Sequence, residues 1–165
     1  MKSRLSVCAL FLAGCAGSIY EPPVGEDMPT VDFQGEYSLL LVYKNGEDCS
    51  DGVGIPPQYA PWEPERAPLP VAPDAVFSFQ VRQYDTAWDA GQLASATCGG
   101  IYSFVPKVET DYRFSFEKKT EGCSVLLVER DRDGSPFAPS PISKRTEKFA
   151  MTVRGSVCQK DVADA

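Results

Sequence analysis

Apolar and polar side chains alternate with a period of two through much of this chain, as half-buried strands require. The clearest run is Val76-Phe-Ser-Phe-Gln-Val-Arg-Gln-Tyr84, and comparable β-rich runs occupy 35–44, 101–105, 111–117, 123–130 and 148–155. Asn45-Gly46 stops the first of them, and residues 118–122 form a hairpin-length turn between two others. Residues 85–97 show no clear period and are read as irregular, with one helical turn around Trp88. Little helix and many turns predict an all-β fold: an antiparallel β sandwich or small barrel of about six to eight strands, stapled by disulfides.

Two stretches lack the strand pattern. Residues 15–31 mix Pro, Gly and acids without an apolar face and read as a flexible tether, so that one β domain spans 32–165. Seven prolines crowd between Pro56 and Pro73, inside a proline-rich loop assigned to 50–74. Proline fixes φ and donates no ladder hydrogen bond, so regular structure is not expected there. A loop of this length either caps one end of the domain or displays a binding surface, for which Tyr59 and Trp62 are the candidates.

The N-terminus reads Met-Lys-Ser-Arg, then an apolar run from Leu5 to Leu12, then Ala13-Gly14-Cys15. This is the layout of a secretory signal, and the run is too short to span a bilayer. Leu12-Ala13-Gly14-Cys15 resembles the lipobox of bacterial lipoprotein signal peptides. The resemblance implies cleavage after residue 14, acylation of Cys15 and anchorage in a lipid bilayer. Ala16 after the cysteine implies the outer membrane under enteric-type sorting, with the domain in the cell envelope, facing the periplasm or the surface. A second resemblance, carried by Cys98, Phe104-Val105-Pro106, Tyr112-Arg113-Phe114 and Cys123-Ser124-Val125, is to small uncharacterised bacterial lipoproteins and implies no activity.

The chain of 165 residues holds 16 basic and 23 acidic side chains. Loss of residues 1–14 would remove Lys2 and Arg4 but no acid, leaving a net charge of −9 on a length suited to one domain. Such a surface disfavours nucleic acid and suits a cationic protein. Of six cysteines, Cys8 would leave with the signal and Cys15 would take lipid. Cys49, Cys98, Cys123 and Cys158 then form two disulfides in an oxidising compartment. Their spacing has no C-x-x-C pair, and no histidine is present to complete a zinc site. If the 123–130 and 148–155 strands pair antiparallel, Cys123 faces Cys158, and Cys49 is left for Cys98.

Absence of histidine also removes the usual base for Ser or Cys nucleophiles. Glu47, Asp48 and Asp51 are the nearest approach to paired catalytic acids, but they flank a turn, where acids serve solubility. Asp131-Arg-Asp-Gly134 is a fragment of a calcium loop without its remaining ligands and reads as a turn. Arg82, Arg113, Arg130 and Arg154 are expected in cross-strand pairs in the company of Glu117 and Glu129. The reading is thus a non-enzymatic, lipid-anchored interaction or structural module of the cell envelope, with no cofactor or metal and an envelope protein as partner. The alternative is an inhibitor of a cationic hydrolase such as lysozyme.

Overall fold

The computed structural model describes residues 18–89, 92–120, 122–148 and 157–159, the stretch 85–97 by its backbone alone. Cys15 with its signal, Arg154 and all but the first residue of the expected 148–155 strand lie outside the described residues. Among the described residues the alternating runs fold as an all-β sandwich of two five-stranded sheets. One sheet contains β1 (Thr30–Gly35), β4 (Leu69–Pro70), β7 (Thr110–Lys119), β8 (Gly122–Asp131) and β9 (Ala138–Pro139), in the order β4-β1-β7-β8-β9. The other contains β2 (Leu39–Asn45), β3 (Ser50–Gly54), β5 (Phe77–Asp89), β6 (Gln92–Phe104) and β10 (Ser143–Arg145), in the order β10-β6-β5-β2-β3. Neighbours run antiparallel except β1 and β7, which are parallel from Thr30 opposite Asp111 to Gly35 opposite Phe116. Gly35 closes that pairing at φ +118°, where an added Cβ would sit 2.2 Å from the Phe116 carbonyl oxygen.

Alternation fills the space between the sheets as the pattern requires. Phe77, Phe79 and Val81 of β5 point inward with Leu40 and Val42 of β2, and meet Val31, Phe33, Tyr112, Phe114 and Leu127 from the opposite sheet. The intervening residues of β5 face outward, and there the second sheet carries a smaller cluster of Tyr43, Ile101, Cys49 and Cys158. The C-terminal segment covers that face. Cys158 bridges to Glu147 and donates its amide to the Asp48 carbonyl at 3.2 Å. Arg145, only 4% exposed, reaches the Glu47 carbonyl at 2.8 Å, the Gln159 carbonyl at 2.5 Å and the Ser103 hydroxyl at 3.3 Å. Ser78 adds a hydroxyl bond of 2.6 Å to the Gly46 carbonyl and shares another of 2.6 Å with the Ser103 hydroxyl, which extends this buried network.

Four expectations need correction. The disulfides are Cys49–Cys158 and Cys98–Cys123. The expected pairing assumed that β8 and the last segment are neighbours, but β8 lies between β7 and β9 while the last segment covers the other sheet. Cys98 and Cys123 both lie on inward-facing positions, so their bridge joins the two sheets. The helical turn around Trp88 is instead a continuation of strand: β5 and β6 pair without interruption from Phe77–Phe104 to Asp89–Gln92, an arm longer than the other strands of its sheet. The stretch 50–74 is not wholly irregular, since β3 precedes its first proline and β4 follows at Leu69. Finally, the folded part does not begin at Asp32. Gly54 donates its amide to the Ser18 carbonyl at 3.2 Å, and Tyr20 donates to the Gly54 carbonyl at 2.8 Å and rests its ring on Phe77. Burial pushes the Tyr20 hydroxyl up to about 12. Residues 18–29 are therefore a strap running from the edge of β3 to that of β4, where the Val71 amide donates to the Pro29 carbonyl at 3.0 Å.

At the Phe104-Val105-Pro106 turn, the Lys107 amide donates to the Tyr112 hydroxyl at 3.0 Å, and its ammonium reaches Glu129 at 2.7 Å. Burial alone would raise the Glu129 carboxyl, but bonds from Lys107 and from Ser140 at 2.8 Å outweigh it and hold it below its usual value. A depressed carboxyl stabilises the fold above its unfolded value near 4.5, and that contribution is lost as pH falls through the lower folded value. Glu129→Gln is thus expected to reduce stability at neutral pH by no more than about 1 kcal/mol and to flatten its decline below pH 4.5, as read by urea titrations across pH. An unchanged acid limb would show that Glu129 does not contribute.

Candidate interaction surface

The proline-rich loop is built as a braced projection. Pro56 and Pro57 start a 3-10 turn (Pro57–Tyr59) closed by Tyr59 to Pro56 and Ala60 to Pro57 backbone bonds of 3.0 and 2.9 Å. Ile55 and Ala60 are buried and hook the loop to the body, and the Ala67 amide closes it onto the Gln58 carbonyl at 2.9 Å. Arg66 fixes the outgoing limb, donating to Asp32 and to the Phe33 carbonyl, each at 3.2 Å. Proline and these bonds remove most of the conformational freedom that binding would otherwise have to remove.

Trp62 stands on this projection with 63% of its surface exposed. Beside it lies an open groove of about 310 Å³ walled by Pro61, Gly35, Tyr37, Ser38 and Gln83. The Tyr37 ring packs edge-on against Phe116, and burial, more than the opposed effects of nearby Arg66 and Asp32, keeps its hydroxyl protonated. The exposed acid Glu36 lines the same groove as the indole, and the exposed Glu63 and Glu65 follow it along the loop. Sequence reasoning paired Trp62 with Tyr59, but the structure separates them: Tyr59 is half-buried against the core and lines a second cavity of about 490 Å³ under the strap.

The outer face of the first sheet presents a different chemistry. Arg113 contacts Asp32 at 3.6 Å, Arg130 contacts Asp111 at 3.3 Å, and Arg132 contacts Asp111 at 3.6 Å. The guanidinium carbons of Arg113 and Arg130 approach the Phe137 ring centre at 4.4 and 4.6 Å, so the ring and the aspartates together hold these cations. Arg82 pairs with Glu147. Among the described residues, strand arginines thus form ion pairs with aspartates and Glu147, while Glu117 and Glu129 pair with Lys119 and Lys107. This motif went unread because Asp32 comes opposite Arg113 only through the parallel β1–β7 register.

Glu47, Asp48 and Asp51 stay at the β2–β3 turn, where Asp48 accepts the Ser50 amide at 3.0 Å, a local turn role. Asp131 to Gly134 form a turn closed by the Gly134 amide on the Asp131 carbonyl at 3.3 Å. Among the described residues no group of acids or cysteines has the arrangement to hold a metal. Comparison with protein-family models, with curated proteins and with solved structures finds no match for this chain.

Proposed function

We propose that the chain is a lipid-anchored, non-enzymatic interaction module of the bacterial cell envelope, and that it meets its partner through Trp62 and the adjoining groove. The observation that carries this reading is an exposed indole on a loop braced at both limbs, since interface energy concentrates in Trp, Tyr and Arg held in rigid settings. Anchorage through Cys15 rests on the Leu12-Ala13-Gly14-Cys15 motif and the outer membrane as its site on Ala16, and the two disulfides suit an oxidising compartment. Crosslinking capture from native membranes with wild type and Trp62→Ala tests it. The partner should be lost or bound about 30-fold more weakly by the variant, the scale of a hot-spot residue. Equal capture by a folded Trp62→Ala protein would reject Trp62 as the contact.

Inhibition of a cationic hydrolase is the second reading, favoured by Glu36, Glu63 and Glu65 about the indole on a chain of net charge −7. Opposite charge steers association and is screened by salt. Lysozyme binding that weakens from low to moderate salt would support this reading, and no binding at low salt would exclude that enzyme.

A further inference from the structure

The strap changes what acylation of Cys15 would mean. Three peptide steps separate Cys15 from Ser18, a reach of at most about 11 Å even when fully extended. From Ser18 onward the chain is tied to the domain by the two bonds to Gly54, by the Tyr20 ring on Phe77, and by the Tyr20 hydroxyl, which donates to the Pro70 carbonyl at 3.4 Å. An acylated residue sits at the boundary of hydrocarbon and headgroups, and the headgroup layer is itself about 5–8 Å deep. Only a few ångströms then remain between the lipid surface and the first residue held by the fold.

Apart from the exposed carboxylate of Glu21, the surface at that point is largely apolar and uncovered. Ile19 is 52% and Val24 is 98% exposed, with Pro22 and Pro23 between them. Neither valine nor isoleucine gains from such exposure in water, whereas both are stabilised at the headgroup boundary, at roughly 25 cal/mol per Å² removed from water. The acidic body disfavours a strongly anionic leaflet, so the suitable surface is zwitterionic.

We propose that residues 18–24 and the neighbouring edge of β3 are seated on the lipid surface, and that the short link to Cys15 holds the sandwich against the bilayer. This rests on acylation of Cys15. The opposite margin of the sandwich, where β9 lies four strand spacings from β4, then stands roughly 19 Å further out. Ala138 marks that margin and is exposed like Val24.

The test uses the full chain, processed in its native membrane, purified and placed in phosphatidylcholine vesicles that contain a headgroup-nitroxide lipid. A thiol-reactive fluorophore is attached at Val24→Cys or at Ala138→Cys, and mass spectrometry of the N-terminal peptide reads acylation separately. Position 24, within the segment proposed to sit on the lipid, should be quenched at least about threefold more than position 138 at the far margin of the sheet. Inserting about 12 Gly/Ser residues between Gly17 and Ser18, with a reach near 20 Å, should bring the ratio close to one. Equal quenching in the acylated protein overturns the seating and leaves the anchor standing, and a ratio that survives the insertion overturns the short link as its cause. An unmodified Cys15 removes the anchor, and the seating with it.

Discussion

Replacing Cys49 and Cys158 together by alanine is expected to lower the free energy of unfolding by about 5 kcal/mol, against about 3.5 kcal/mol for the Cys98/Cys123 pair, on the chain-entropy account of cross-links. The difference comes from loop length, because the first bridge spans 109 residues and the second spans 25. The Cys49–Cys158 bridge also pins the segment carrying Arg145 and Glu147 over Tyr43 and Ile101. Its loss should therefore expose that face as well as relax the unfolded chain. Denaturant titrations of the two double variants give the comparison, and non-reducing peptide maps should yield 49–158 and 98–123 cross-links. A smaller loss from the long loop than from the short one would mean that native contacts, not chain entropy, set these contributions.

What could be read from the chain was what local alternation encodes. β5 announces itself because Phe77, Phe79 and Val81 alternate with Ser78, Gln80 and Arg82, and the β7–β8 hairpin because a short polar turn separates two such runs. β1 offered only Val31 and Phe33, and its main partner lies about 80 residues away in a parallel pairing that leaves no local trace. β3, with two glycines among five residues, was absorbed into a proline-rich loop whose first proline comes only at Pro56. The 85–97 stretch was misread because Asp89 and Gln92, with only Ala90 and Gly91 between them in sequence, were not taken as the ends of one hairpin.

The disulfides show the same limit at the level of topology. Strand neighbours can be inferred from short turns, but the sheet to which a distant segment belongs cannot, and the choice between Cys123 and Cys49 as the partner of Cys158 is a choice of sheet. The candidate surface was half legible for a related reason. Proline on either side of an aromatic marks a displayed loop, which Trp62 satisfies. Whether Tyr59 is displayed depends on the strap and core that it packs against, and single residues such as Tyr20 carry no periodic signal.

Phe79→Ala should be the most damaging single substitution in the core, at about 3–5 kcal/mol. Phe79 is fully buried at the centre of the sandwich, with ring centres 5.1 Å from Phe33 and 4.8 Å from Phe114 across the gap, both edge-on, and 5.8 Å from Phe77 within its own sheet. Truncation removes the transfer free energy of the ring and the favourable edge-to-face geometry together. The neighbours that would have to close the void are themselves aromatic and held by backbone in two different sheets, so little relaxation is available. Trp62→Ala, at an exposed position, is expected to change stability by no more than about 0.5 kcal/mol. Urea unfolding of both variants therefore separates the residue that joins the sheets from the residue proposed to meet a partner. A Phe79→Ala protein as stable as Trp62→Ala would show that this ring does not hold the two sheets together.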